Sequence, residues 1–189
     1  MATLVEQGLK FHDAGELDRA EQCYRDAVAA DAMNAVALKL LAVLSAERGR
    51  SDDAMSYAQA AIDQKPEVAE YHHLLGRLRA RAENFAGAAE ALERAATRST
   101  PPSARILCDL GLCYQRTDRF PDAERVYTDA LAVDEKSVNA MLGLALCALA
   151  AGQLEKAEGL YERILGIEPT HVAAREGLEK VEGWLLNKP

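Results

Sequence analysis

Residues 138–171 read VNAMLGLALCALAAGQLEKAEGLYERILGIEPTH. In the first half, Leu144 precedes the small residue Ala145. In the second half, Ala157, Tyr161 and Ile164 stand at i, i+4 and i+7, which is one stripe of a helix. Between the halves, Ala151-Gly152-Gln153 reads as a turn, because glycine takes the left-handed geometry that ends helices. Pro169 closes the stretch. The reading is two helices joined by a tight turn.

The same pattern recurs upstream. Ala20, Ala54, Ala88, Ala123 and Ala157 lie 34, 34, 35 and 34 residues apart, and Gly8, Ala42, Gly76, Gly111 and Ala145 keep that step. Such a period marks stacked repeats, each too small to bury its apolar face alone. The slot before the small residue is apolar in Leu41, Leu75, Leu110 and Leu144, with Gln7 the exception. Three residues after the small one stand Phe11 and Tyr114, weakened to Ser45, Arg79 and Ala148 elsewhere. The second-half stripe repeats as Tyr24, Leu92 and Tyr127 followed by Ala27, Ala61, Ala95 and Ala130. The turn glycine recurs as Gly15 and Gly49, and Glu83 and Asp118 fill its slot in the third and fourth units.

These slots resemble the tetratricopeptide repeat family, whose pattern is a small residue, a large one, an alanine pair and a closing proline. Pro66 and Pro169 supply that proline, and Ala32, Thr100 and Glu135 replace it elsewhere. The resemblance implies an all-α, right-handed α-solenoid of helix-turn-helix repeats with a C-terminal capping helix. The units fall at 1–34, 35–68, 69–103, 104–137 and 138–171, followed by a last helix from about Val172 to Leu186 within the closing segment 172–189. One register break, Ser99-Thr100-Pro101-Pro102-Ser103, adds a residue where two prolines cannot continue the preceding helix. Ser103 is placed to cap the helix that follows. A domain boundary there is the other reading; a one-residue insertion at an inter-unit turn is the simpler one, so residues 1–189 are expected to form a single repeat domain.

Composition narrows the function. A formal charge of -8 argues against a general nucleic-acid binder, which needs clustered Lys and Arg facing phosphate. Residues 1–10 include Glu6 and Gln7 and lack an apolar leader core, so no secretory signal is expected and the location is expected to be cytoplasmic. The longest apolar run, Ala140 to Gly152, is shorter than the ~20 residues that a membrane helix needs, and no membrane partner is expected. Cys23, Cys113 and Cys147 fit packing slots, Cys108 lies five residues before Cys113, and no Cys-x-x-Cys occurs, so reduced structural thiols are expected. His72 and His73 point roughly 100° apart on a helix, and His12 and His171 lie far away. No metal site and no cofactor are expected. The sequence has no glycine-rich phosphate loop and no Gly-x-Ser-x-Gly, and its acids fall on expected solvated faces, so the chain is read as non-catalytic.

In the family it resembles, the first helix of each unit lines the concave face. The matching slots are Val5, Leu9 and His12; Lys39, Val43 and Ala46; His73, Arg77 and Ala80; Cys108, Leu112 and Gln115; and Leu142, Leu146 and Leu149. Arg81, Arg105 and Arg116 add to the basic middle. The sign contrast with an acidic protein would steer an anionic ligand, the alternative being solvated charges paired with Glu47, Glu70 and Asp109. Leu142, Leu146 and Leu149 form a second apolar stripe beside the core slots Met141, Leu144, Ala145 and Ala148, a candidate hydrophobic anchor. The last helix carries a core stripe of Ala174, Leu178, Val181 and Leu185 with Trp184 beside it, read as a lid. The candidate binding residues are therefore Lys39, His73, Arg77, Arg81, Arg105, Leu112, Arg116, Leu142, Leu146 and Leu149.

Two family specialisations do not match. The chaperone-tail clamp would need Lys, Asn and Arg where Val5, Leu9, Leu40, Glu70 and Leu74 stand, and the asparagine ladder of sugar-transferring relatives would occupy Glu6, Leu40, Leu74, Asp109 and Gly143. The expectation is an interaction adaptor whose groove takes a protein or peptide segment with acidic and apolar residues. The alternatives are the recognition arm of a larger enzyme such as a glycosyltransferase, and a scaffold that self-assembles as a homo-oligomer.

Overall fold

In the computed structural model, which describes residues 3–186, the described residues form eleven α-helices and no strand. In chain order they are α1 (Leu4–Asp13), α2 (Leu17–Ala30), α3 (Ala35–Glu47), α4 (Ser51–Gln64), α5 (Ala69–Arg81), α6 (Phe85–Arg98), α7 (Ala104–Arg116), α8 (Phe120–Val133), α9 (Val138–Ala150), α10 (Leu154–Ile167) and α11 (Val172–Leu186). The chain divides into two compact units, Met1–Ser99 and Thr100–Pro189, at the register break in the sequence. The first holds three helical hairpins, and the second holds two hairpins and α11.

The helix starts follow from caps. Thr3 and Glu6 form a reciprocal capping box at α1, with Thr3 N to Glu6 Oε2 2.8 Å and Glu6 N to Thr3 Oγ1 3.2 Å. Asn34 and Asn84 cap α3 and α6 by accepting from Ala37 N and Gly87 N. Ser103 stands at the N-cap of α7 as expected, but its hydroxyl makes no capping bond.

All five hairpin turns are built alike. In the first, the Glu16 N–H donates to Phe11 O at 2.8 Å and the Gly15 N–H donates to His12 O at 2.9 Å. The same pair of bonds recurs at Arg50 and Gly49, Asn84 and Glu83, Arg119 and Asp118, and Gln153 and Gly152. This is the Schellman closure, and it needs a left-handed residue. That residue is glycine at 15, 49 and 152, while Glu83 (φ 59°) and Asp118 (φ 57°) adopt the same geometry with a side chain.

The periodic alanines Ala20, Ala54, Ala88, Ala123 and Ala157 are fully buried, as are Tyr24 and Leu92, with Tyr127 and Tyr161 nearly so. A residue without a Cβ lets these large side chains in. A Cβ on Gly8 would lie 2.4 Å from Tyr24 Cε1, and one on Gly76 would lie 2.6 Å from Leu92 Cγ. Tyr127 is bracketed from both sides, since a Cβ at Gly111 would meet its ring at 2.7 Å and one at Gly143 at 2.2 Å.

A polar clasp, absent from the sequence expectations, joins the first two hairpins. The Glu21 side chain is buried, and its carboxylate takes Arg25 Nη2 at 2.5 Å, Arg50 Nη2 at 2.8 Å and Arg48 Nη1 at 2.9 Å. Arg48 also reaches Asp18 at 2.6 Å. At the other end of the chain, α11 packs on α10 through Ala174 and Val181, both fully buried, and through Gly177, whose missing Cβ admits the Tyr161 ring. Trp184 was expected to complete the lid. It is instead 51% exposed, and the Tyr161 ring is met by Gly177 of α11.

Candidate partner-binding grooves

Within the first unit, α3 and α5 enclose a cavity of about 310 Å³. Val43, Ala46 and Glu47 border it from α3, and Leu74, Arg77, Leu78 and Arg81 from α5. Arg77 and Arg81 are one helical turn apart, so both guanidiniums edge the same opening. Arg81 Nη1 donates to Ala46 O at 3.1 Å, which holds its head across the cavity without neutralising it. Arg77 is exposed and joins no ion pair among the described residues. The one lining carboxylate, Glu47, is taken by His12 Nε2 at 2.8 Å, and His12 Nδ1 lies 3.4 Å from the Tyr24 hydroxyl. Two positive heads over an apolar floor therefore face a single, already engaged acid.

The other first-unit candidates are placed differently. Lys39 pairs with Glu70 at 3.2 Å, as the solvated-pair reading expected. His73 is only 4% exposed, so its ring belongs to the packed side of α5 and not to an open face. Its neighbour His72 is also buried, with Nε2 2.8 Å from Pro66 O. Among the described residues, no group of three His, Cys, Asp or Glu side chains is arranged to hold a metal ion.

Within the second unit, α7 and α9 enclose a pocket of about 280 Å³. Cys108, Asp109, Leu112 and Gln115 come from α7, Asn139, Leu142, Gly143 and Leu146 from α9, and Tyr127 of α8 lies beneath. Leu112 and Leu146 are 46% and 47% exposed, and Leu142 is half-buried. The Tyr127 hydroxyl donates to Gln115 Oε1 at 2.7 Å, and Gln115 Nε2 donates to Gly143 O at 3.0 Å, which ties α7, α8 and α9 together under the pocket. Burial pushes the Tyr127 phenol well above its ordinary value, with neighbouring thiols and Asp109 adding to the shift, so it stays a donor. Burial also raises the Cys113 thiol to about 11, and raises Cys108, where a hydrogen bond shared with the Ser137 hydroxyl partly offsets it. Such thiols are poor nucleophiles, in keeping with the packing role expected for them.

Leu149, a turn beyond Leu146, is half-buried and does not border this pocket. Arg105 and Arg116 are exposed on α7, outside the lining. The sequence slots thus bring Val43, Ala46, Arg77 and Arg81 together in one unit, and Cys108, Leu112, Gln115, Leu142 and Leu146 in the other.

Sequence reasoning missed Tyr127 and Asn139 as pocket residues and treated Asp109 only as a pairing acid. The signal was available in Gly143, which stands where the second and third units carry Leu40 and Leu74 and so leaves a hole above Tyr127. A second signal was the offset of twelve residues shared by His12 with Tyr24 and Gln115 with Tyr127, both hydrogen-bonded pairs.

Comparison with known proteins agrees with this architecture. Among solved structures, a tetratricopeptide repeat protein from Parabacteroides merdae superposes with a TM-score of 0.84 at 22% identity, covering 94% of this chain and 70% of that one. YrrB, described as a TPR protein with an unusual peptide-binding site, gives 0.82 at 18% identity, covering 93% of this chain and 90% of that one. MamA gives 0.80 at 23% identity, covering 86% and 94%. In sequence, the chain is 34% identical over 163 residues to cellulose synthase operon protein C of Xanthomonas axonopodis pv. citri, which covers 80% of this chain but 10% of that protein. The tetratricopeptide repeat family model matches residues 5–69, 73–123 and 108–172. The chain therefore belongs to the tetratricopeptide repeat family.

Proposed function

We propose that this chain is a non-catalytic interaction scaffold that holds a segment of a partner protein in its first-helix grooves, and that the α3–α5 groove takes an acidic side chain next to an apolar one. The observation that carries this reading is the pair Arg77 and Arg81 over Val43, Leu74 and Leu78, with Glu47 already engaged by His12. Guanidiniums that have not exchanged water for a carboxylate keep their charge for a ligand, and an apolar floor beside them covers the stem of the residue that carries it.

The test compares capture of acidic-apolar peptides by the wild-type chain and by an Arg77→Glu/Arg81→Glu variant. Selective capture that the variant loses, weakening as salt rises, supports the reading. Equal capture by both proteins, or none by either, refutes it.

A second reading has one observation behind it, the 34% identity to a relative about ten times longer than the matched stretch, named for a cellulose synthase operon. On that reading the repeats are the recognition arm of a larger enzyme or enzyme complex. A reading frame that continues into a catalytic domain supports it. A frame with the repeats alone, together with no enzyme recovered with the protein from its own cells, counts against it.

A further inference from the structure

We propose that His12 sets the specificity of the α3–α5 groove as a positioning residue: it draws the Glu47 carboxylate aside, so that Arg77 and Arg81 are left for an acidic residue of a partner protein. The inference rests on the reading of that groove as a partner site, and it makes a residue outside the lining responsible for the charge the groove presents.

The competitor comes first. Arg81 Nη1 donates to Ala46 O at 3.1 Å, and a single peptide bond separates that carbonyl from Glu47. A glutamate side chain is long enough to cover such a gap, so Glu47 is the internal rival of any acidic guest. Turned to the guanidiniums, it would fill the groove with the chain's own carboxylate. Exposed ion pairs are weak, so a modest second partner is enough to decide which way the acid turns.

His12 is that second partner. Its Nε2 lies 2.8 Å from Glu47 Oε2. The His12 side chain is only 18% exposed and its ring stands edge-on to the fully buried Tyr24 ring, with Nδ1 3.4 Å from the Tyr24 hydroxyl. With the phenol donating to Nδ1, Nε2 carries the ring proton and donates it to the carboxylate, so the hold needs no charge on the ring. Glu70, one turn before Leu74 on α5, is likewise paired away, with Lys39 of α3 at 3.2 Å. Ala46 and Ala80 occupy the His12 slot in the next two units, so packing of the repeat does not call for an imidazole there.

The experiment uses the full chain and two labelled random-sequence peptide libraries of equal length, one with a fixed central glutamate and one with a fixed central glutamine. The glutamate library is expected to bind the wild type about tenfold more tightly than the glutamine library. His12→Asn keeps an amide beside Tyr24 but falls short of Glu47, and should cut that advantage to about twofold. His12→Gln places a donor about where Nε2 stands and should keep most of it. Adding Glu47→Gln to His12→Asn removes the released acid and should restore an advantage of about tenfold. In case His12→Asn does not fold, Glu47→Asp breaks the hold from the half-exposed end of α3, one methylene short of His12, and should lower the advantage in the same way.

An advantage unchanged in His12→Asn, or in Glu47→Asp where it stands in, overturns the inference. So does a loss in His12→Asn that Glu47→Gln does not restore, which would trace it to the packing of Tyr24. If the glutamate advantage survives those variants and disappears in Arg77→Glu/Arg81→Glu, this inference fails and the groove reading stands. If the wild type shows no glutamate advantage, both fail.

Discussion

Replacing Gly143 by alanine adds one methyl group in the middle of α9, and at an ordinary helical site that change stabilises, because alanine exceeds glycine by about 1 kcal/mol in helix propensity. Here the new Cβ would lie 2.2 Å from Tyr127 Cζ, so the ring would have to retreat by more than 1 Å to reach normal contact. It has no room to retreat, since the opposite side of the ring is closed by α7 at Gly111. Overpacking of this kind costs about 3 kcal/mol, including displacement of the phenol from Gln115, and the propensity gain offsets about 1. The net loss of about 2 kcal/mol corresponds to a fall in Tm of about 4–8 °C for a chain of this size. The control is Gly159→Ala in α10, where an added Cβ meets nothing within 4 Å. There the propensity term stands alone, and Tm should rise by about 2–4 °C. Thermal melts of the two variants followed by circular dichroism decide the matter. If Gly143→Ala is as stable as the wild type while Gly159→Ala gains, Tyr127 is not wedged between the two glycines and the account of the repeat core is wrong.

Glu21→Gln keeps the shape of the clasp but removes the charge that three guanidiniums share, and it should cost about 2 kcal/mol in urea unfolding, against under about 1 for Glu16→Gln at the exposed Arg19 pair; equal losses would show that the clasp is ordinary surface pairing. Ser45 buries a hydroxyl that has no hydrogen-bond partner among the described residues, so Ser45→Ala should raise the urea midpoint by the equivalent of about 1 kcal/mol, and a lowered midpoint would reveal a hidden partner. With Cys113 held up to about 11, folding favours the protonated thiol over the deprotonated one. Its contribution is complete below the unfolded value near 9 and is lost as pH rises toward 11. Stability should therefore fall across pH 9–11 by more in the wild type than in Cys113→Ala, and identical pH profiles would remove the thiol from the explanation.

The architecture was legible because it depends on period and residue size, both of which are visible in one dimension. The starts of α3, α5, α7, α9 and α11 at Ala35, Ala69, Ala104, Val138 and Val172 coincide with the boundaries drawn from the 34-residue step. Glu83 and Asp118 were recognised in the glycine slot, and both take the left-handed backbone.

The grooves were legible in outline only. Helical position says which face a residue occupies, so Val43, Arg77, Leu112 and Leu146 could be assigned to first-helix faces that border cavities, but it does not say how deep a side chain sinks. That is why His73 came out buried and Lys39 paired. Contacts between units separated by about thirty residues, such as Glu21 with Arg48 and Arg50, leave no periodic trace. They depend on which long side chains meet once the helices have packed.

The five hairpin turns are held by main-chain bonds, and three different residue types occupy their left-handed position. Reversal of the chain is thus independent of what the flanking side chains do. Turn tips and groove slots can drift in sequence separately, so one such hairpin can be copied, and its ligand-facing residues rewritten, without its bend being redesigned.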